Sequence, residues 1–142
     1  ELREVDDSKY LYLKATTSTA TLNGANYFDV SFCDGEGDSG VWWGWTTKGK
    51  TPYWKEHKGS VDAEGNLVSM QYSHNGTYQN IKCHTNIEAE KITWYLAYPI
   101  EYVNVYKNSV GKAYVSCLLW KEYADYWACP ARGNAMLEVT LP

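Results

Sequence analysis

The chain of 142 residues has no apolar run that approaches the roughly eighteen residues of a membrane-spanning helix, so membrane insertion is not predicted. An excess of basic residues is also missing, because 13 Lys and Arg stand against 17 Asp and Glu, giving a net charge of -4. A nucleic-acid partner is therefore not expected, since phosphates are held by a basic surface. The hydrophobic content of 44% argues against disorder, and we expect one folded domain over residues 1–142.

Motifs for catalysis and metal binding are absent as well. The sequence contains no H-E-x-x-H, no G-x-S-x-G and only 3 scattered His. The acidic loop that begins at Asp34 resembles the start of a calcium loop, but its twelfth position is Trp45, where that loop needs a bidentate Glu. Carboxylates such as Glu88 and Glu101 are expected to lie on the outer face of a sheet. We predict that the protein is not an enzyme and has no metal or cofactor.

What the sequence does contain is period-two alternation of apolar and polar residues. The alternation runs through 9–17, 28–32, 41–46, 68–72, 92–98, 103–105, 113–119 and 137–141. Turn signals such as Glu64-Gly65-Asn66 and Asn75-Gly76 separate these runs. About eight to ten short strands predict an all-β fold, a single-domain antiparallel β-barrel or sandwich. The one helix candidate is Lys121 to Trp127.

The four Cys, at positions 33, 83, 117 and 129, form no C-x-x-C pair. An even number of Cys in a chain rich in Trp and Tyr predicts two disulfides and a secreted protein. Three connectivities are possible. We favour Cys117–Cys129 with Cys33–Cys83, because the first bridge would span a predicted turn between two strands. Asn75 opens an Asn-Gly-Thr sequon, a candidate N-glycosylation site on a hairpin turn.

The most unusual stretch is the one from Trp42 to Lys58, in which aromatic and basic residues are interleaved. Successive strand residues point to opposite faces, so one sheet face cannot bury both Trp42 and Trp43. Either a second layer covers the extra Trp or the stretch is a binding surface. Exposed Trp and Tyr dominate interface hot spots. The predicted binding residues are Trp42, Trp45, Tyr53, Trp54, Lys48 and Lys50.

The C-terminal segment carries a family resemblance. Cys117 is followed after eleven residues by Cys129, then by a Gly-containing link and a strand that ends Val-Thr-Leu-Pro at Pro142. This pattern resembles the end of the fungal secreted allergen and elicitor family typified by the major Alternaria allergen. The resemblance implies a compact antiparallel β-barrel with two intrachain disulfides and no known catalytic site. It also implies secretion from a fungus and a role in allergy or in plant defence, and it assigns no binding residue.

A second resemblance is to the tick salivary lipocalins, which capture amines or lipids inside a barrel. Tyr10 to Thr17 looks like their first strand, and Cys117-Leu118-Leu119-Trp120 resembles their Cys-x-Leu-Trp strand. Leu118 stands where the amine binders of that group usually carry an acid.

The function predicted from the sequence is that of a secreted, non-enzymatic elicitor or effector. Such a protein triggers or modulates plant defence, as a virulence factor does, by surface recognition of a host protein or cell-wall component. We expect a monomer, because no unpaired Cys is left to link two copies. The alternatives are a ligand-capturing barrel of lipocalin type and a carbohydrate-binding module that uses Trp42, Trp45 and Trp54.

Overall fold

The computed structural model describes residues 2–4, 10–22, 24–35, 57–74, 77–121, 125–130 and 134–142. These residues are dominated by β-strands, as the alternation predicted. The strands are β1 Leu2–Glu4, β2 Tyr10–Ser18, β3 Tyr27–Cys33, β4 His57–Val61, β5 Leu67–His74, β6 Thr77–Asn80, β7 Lys82–Glu88, β8 Lys91–Pro99, β9 Lys112–Lys121, β10 Asp125–Cys129 and β11 Leu137–Thr140. The helical segments are α1 Thr19–Leu22, α2 Ile100–Val103 and a 3₁₀ turn at Asn104–Tyr106.

The strands form two antiparallel sheets that pack as a sandwich. Sheet A has the order β1-β2-β8-β7. Sheet B has the order β10-β9-β3-β4-β5-β6, and β11 pairs with β9 beside β10. The inner faces meet in one core, where Phe28, Val30 and Phe32 of sheet B lie against Trp94 and other residues of sheet A. The all-β prediction is confirmed, and of its two forms the sandwich is correct and the closed barrel is wrong.

The sheets approach each other closely at one edge and stay apart at the other. Near β7 the chain crosses between them at Ile81, whose N–H donates to the Met70 carbonyl at 3.0 Å. The Leu67 N–H donates to Thr85 Oγ1 at 2.9 Å and ties β5 to β7. On the opposite side, no ladder between the described strands joins β2 to β10 or β11. The barrel therefore does not close, and a cleft separates the sheets there.

Strands β3 and β9 are buried on both of their faces. Their inner faces carry the apolar residues of the core, whereas the outer faces carry Asp29, Ser31 and Ser116, which are buried too. Asp29 Oδ2 accepts a hydrogen bond of 2.7 Å from Trp120 Nε1. The Trp120 ring in turn stacks on Tyr27 at 4.5 Å. A buried carboxylate needs such donors, because an unpaired one would be strongly destabilising.

Two predicted elements are wrong. The helix candidate at Lys121 to Trp127 contains the end of β9 and the start of β10. The strand predicted at 103–105 is helical. Pro99, with a φ of -56°, ends β8 and is the residue directly before α2. Within the described residues no helix has the length and apolarity needed to cross a bilayer. The predicted strand at 41–46 lies outside the described residues.

The described residues contain eleven strands, more than the predicted number. The additional strands include β6 and β7, which are mostly polar and show no apolar alternation in the sequence. They form because β5 and β8 offer them hydrogen-bonding partners over their whole length. Strands β5 and β6 pair with His74 opposite Thr77. The predicted turn residues Asn75 and Gly76 lie outside the described residues.

The turn predicted around Gly65 connects β4 to β5 and supports the core. Gly65 has a φ of +98°, a left-handed conformation that favours glycine. A Cβ there would lie 2.6 Å from Ile92 Cδ1, and Ile92 is fully buried. The Gly65 carbonyl accepts a 2.8 Å hydrogen bond from Trp94 Nε1. The turn therefore fixes the position of the buried Trp94 ring.

We expect Gly65→Ala to lower the free energy of unfolding by about 3 kcal/mol, because it adds backbone strain to a clash with Ile92. Gly111→Ala is the matched control, because Gly111 also has a positive φ, of +78°. A Cβ added at Gly111 would find its nearest neighbouring atom at 3.8 Å, so it would not clash. The control should cost only about 1 to 2 kcal/mol of backbone strain. Urea unfolding of both variants measures the difference. An equal decrease in the free energy of unfolding of the two variants would show that the Ile92 side chain moves aside without an energetic cost.

Candidate functional site: a cleft between the two sheets

The strongest candidate site is the cleft on the open side of the sandwich. It lies between the second half of β2 in sheet A and strands β9, β10 and β11 in sheet B, and it has a volume of about 440 Å³. Pockets of this size hold small organic molecules. The cleft follows from the topology, since β2 and the β10–β11 edge are not joined by a ladder.

The walls of the cleft are apolar because alternate residues of two strands face it. Leu13 and Ala15 contribute from β2, and Val115 and Leu119 contribute from β9. Leu13, Val115 and Leu119 are buried members of the core. The only charged side chain among the lining residues is that of Lys14, which belongs to the β2 edge. The cleft thus has an apolar interior with a polar border.

Two aromatic rings form the deep end of the cleft. Phe28 and Trp94 lie with ring centroids 4.8 Å apart and planes tilted by 45°. Both rings are buried. The hydrogen bond from Trp94 Nε1 to the Gly65 carbonyl fixes the indole, so a ligand would meet a rigid aromatic surface.

The mouth of the cleft is formed by Trp127, Cys129, Pro130 and Leu137. Trp127 pairs with Leu119 in the β9–β10 register and therefore shares its face. Its side chain is 38% exposed, which is unusual for so large an apolar group. Trp127 is a ring at the entrance that a ligand could cover.

The edge of β2 adds polar groups to one side of the cleft. Strand β1 pairs with Leu11 to Leu13 only, so in the described part of the chain no strand pairs with residues 14–18 on the side away from β8. An unpaired edge presents backbone N–H and C=O groups. The Ser18 hydroxyl is already bonded to the Thr21 hydroxyl at 2.9 Å, so the backbone of 14–17 is the freer source of hydrogen bonds.

Cys117 and Cys129 also line the cleft, and they lie opposite each other in the β9–β10 register. All four cysteines of the chain are unbridged in this structure. Directly opposite residues of an antiparallel pair have Cα atoms about 4.5 to 5.5 Å apart, within the range that a disulfide spans. Burial, with a smaller contribution from Cys129, raises the pKa of the Cys117 thiol to about 12.

The predicted Cys33–Cys83 bridge is not formed in this structure, and the strand register argues against it. Cys33 pairs with Tyr114 and so lies on the outer face of sheet B, on the side of Asp29 and away from the core. Cys83 pairs with Leu96 and faces the core from sheet A. Sheet B therefore separates the two side chains. The Cys83 thiol instead donates to the Leu67 carbonyl at 3.8 Å, and burial raises its pKa.

The binding surface predicted from the sequence cannot be compared with this cleft. Its residues, Trp42, Trp45, Tyr53, Trp54, Lys48 and Lys50, and the sequon residue Asn75 all lie outside the described residues. The sequence reasoning missed Trp127, because it assigned the residue to a helix. The alternation of Trp127 and Cys129 with Tyr126 and Ala128 is the strand signal that would have placed both on one face.

Comparison with known proteins assigns no identity. No family model, no curated protein and no solved structure matches this chain. The function has to be argued from the site itself. Within the described residues, no group of three or more His, Cys, Asp or Glu is arranged to hold a metal ion.

The thiols provide a test of the cleft geometry. In the reduced, folded protein we expect iodoacetamide to alkylate the exposed Cys129 well before Cys117, because alkylation requires an accessible thiolate and the raised pKa keeps Cys117 protonated at neutral pH. Cys33, which is 1% exposed, should be protected as well. Site-resolved mass spectrometry over time measures the order. Equal rates at Cys117 and Cys129 would contradict the described burial of β9.

Proposed function

We propose that this protein is a non-catalytic binding protein that holds a small, predominantly apolar ligand in the cleft between its sheets. The observation that carries the proposal is the open 440 Å³ cleft with the buried Phe28–Trp94 pair at its deep end. Apolar pockets with a few polar groups at one side are the usual form of small-molecule sites.

The chemistry of the lining narrows the class of ligand. Among the described residues that line the cleft there is no carboxylate, and Lys14 is the single charged side chain. A ligand amine would therefore lack a charge partner there. The favoured ligand is a neutral or weakly acidic molecule with a flat apolar body, which fits against the aromatic rings. Its polar groups would bond to the backbone edge of β2.

The proposal is closest to the ligand-capturing alternative predicted from the sequence, with two differences. The site is the open side of a sandwich and not the interior of a closed barrel. The lining also favours an apolar ligand over an amine. The first difference comes from the edge of β2, which no described strand covers at residues 14–18. The second comes from the lack of a carboxylate among the described lining residues.

A neutral fluorophore, N-phenylnaphthylamine, tests the cleft directly, because its emission rises when it enters an apolar site. We expect Trp127→Ala to weaken its binding about tenfold, since a buried aromatic contact contributes on the order of 1 kcal/mol or more. Ala15→Phe should abolish binding by filling the space. Tyr78→Ala, an exposed aromatic on β6 far from the cleft, is the matched control. A thermal melt of each variant confirms that it is folded.

Binding that survives Ala15→Phe in a folded protein would show that the fluorophore sits elsewhere and would overturn the proposal. An equal loss in Trp127→Ala and Tyr78→Ala would mean that the probe adheres to exposed aromatics without entering the cleft.

We also propose that Cys117 and Cys129 form a disulfide in an oxidising compartment. Each thiol gives up its hydrogen, one S–S bond forms, and the two electrons pass to a disulfide oxidant such as oxidised glutathione. Cys33 and Cys83 stay reduced, because sheet B separates them. Thiol titration of the unfolded, unreduced secreted protein should find two free thiols, and peptide mapping should link 117 to 129. No free thiol, or a peptide that links 33 to 83, would contradict this.

The secreted effector role predicted from the sequence stays a prediction. It rests on the aromatic–basic stretch from Trp42 to Lys58 and on the resemblance of the C-terminal segment. Trp42→Ala and Trp54→Ala should each cost roughly 2 kcal/mol or more of partner binding, with little effect on stability. A thermal melt beside a plant-tissue response assay measures both. A collapsed melt together with a lost response would identify these Trp as core residues.

A further inference from the structure

The outer face of sheet A carries a cluster of aromatic and cationic side chains, of which only Lys14 also borders the cleft. Leu11, Leu13 and Leu96 of this sheet are buried inward, so the residues between them face outward. We name the outward cluster the Tyr–Lys face. Its members are Tyr10, Tyr12, Lys14, Lys82, His84 and Tyr95.

The strand register arranges this face in rows across the sheet. Tyr12, Ala97 and Lys82 form one row, with β8 between β2 and β7. Lys14, Tyr95 and His84 form the next row. Rows are about 7 Å apart and neighbouring strands about 4.8 Å apart, so the face is a flat patch and not a pocket.

The aromatic rings of the face touch one another and a cation. The Tyr10 and Tyr12 ring centroids are 6.2 Å apart, and Lys82 Nζ lies 5.5 Å from the Tyr10 centroid. His84 stacks on Tyr95 at 6.2 Å with planes 29° apart. Tyr95 is 41% exposed. The rings are therefore held in place but leave surface for a partner.

Positively and negatively charged side chains lie in different rows of the same face. The rows with Lys82 and Lys14 contain no acid among the described residues of sheet A. Of the acids in the described strands of this face, Glu88 is the nearest to these rows. It lies two rows beyond Tyr95, pairs with Lys91 in register and accepts a 2.9 Å hydrogen bond from Asn86. Counted over the described residues alone, the Tyr–Lys face is thus locally positive, on a chain whose net charge is -4.

We propose that the Tyr–Lys face binds an anionic polysaccharide, a chain of sugars that carry carboxylates. The tyrosine rings offer flat apolar surfaces with hydroxyl tips, which suit the C–H faces and hydroxyls of a sugar ring. Lys14 and Lys82 pair with the carboxylates. Ala97 is the only aliphatic side chain in the two described rows, so tyrosine rings provide most of the apolar surface of the patch. A flat face fits an extended chain better than a compact ligand.

This face shares only Lys14 with the lining of the cleft, so Tyr95→Ala and Trp127→Ala distinguish the failure of one proposal from the failure of the other. Binding of polygalacturonate to the folded chain, measured by calorimetry, tests the proposal for the Tyr–Lys face, with a neutral glucan as comparison. We expect Tyr95→Ala to weaken binding several-fold, and Lys14→Gln with Lys82→Gln to weaken it about tenfold and to remove its salt dependence. Lys91→Gln is the matched control, because Lys91 is on the same face beside Glu88. Trp127→Ala should leave this binding unchanged.

Each alternative outcome overturns the proposal. Equal binding of the neutral glucan would show that charge plays no part. Equal binding of poly-glutamate would identify the partner as an acidic polypeptide. An equal loss of polygalacturonate binding in Lys91→Gln would show that only the net charge of the protein matters. If polygalacturonate does not bind at all, the face is not a binding site for it.

Discussion

The pairing of β3 with β9 is the constraint on which the rest of the structure depends. Each of these strands is buried on both faces, so its register decides which side chains enter the core and which lie behind sheet B. A slip of one residue would turn Asp29 and Ser31 into the core and expel Phe28 and Phe32. The buried Asp29–Trp120 hydrogen bond on the outer face disfavours such a slip, because it would be broken as well.

The same register places the cysteines and shapes the cleft. It turns Cys117 inward beside Val115 and Leu119, opposite Cys129, and it turns Cys33 to the other side of the sheet. The two cysteines that lie close in sequence thus lie close in space, while the two distant ones are kept apart. The apolar wall of the cleft and the position of Cys117 opposite Cys129 both follow from the alternation of side chains along β9.

The sequence predicted most of what depends on local pattern. The inward residues of β2, β8 and β9, the turn at Gly65 and the antiparallel class all follow from alternation and turn chemistry. Strands β6 and β7 could not be predicted, because their polar residues are ordered by neighbouring strands. The cleft also escaped prediction, since it depends on the separation of two edges that no local pattern encodes. Trp127 was missed because the seven residues from Lys121 to Trp127, which include the end of β9 and the start of β10, were read as a helix.

Residues 14–18 of β2 have no partner on the side away from β8 among the described strands, and this edge has a consequence for self-association. A strand edge that lacks a partner can accept a strand from another molecule, and an apolar cleft beside it would be covered in the same event. Lys14 is exposed and follows Leu13, the last residue of β2 that pairs with β1. It opposes this association, because two copies paired there in antiparallel fashion would bring like charges together. The edge of β2 beside the cleft therefore carries a charged residue, Lys14, that disfavours strand-by-strand aggregation.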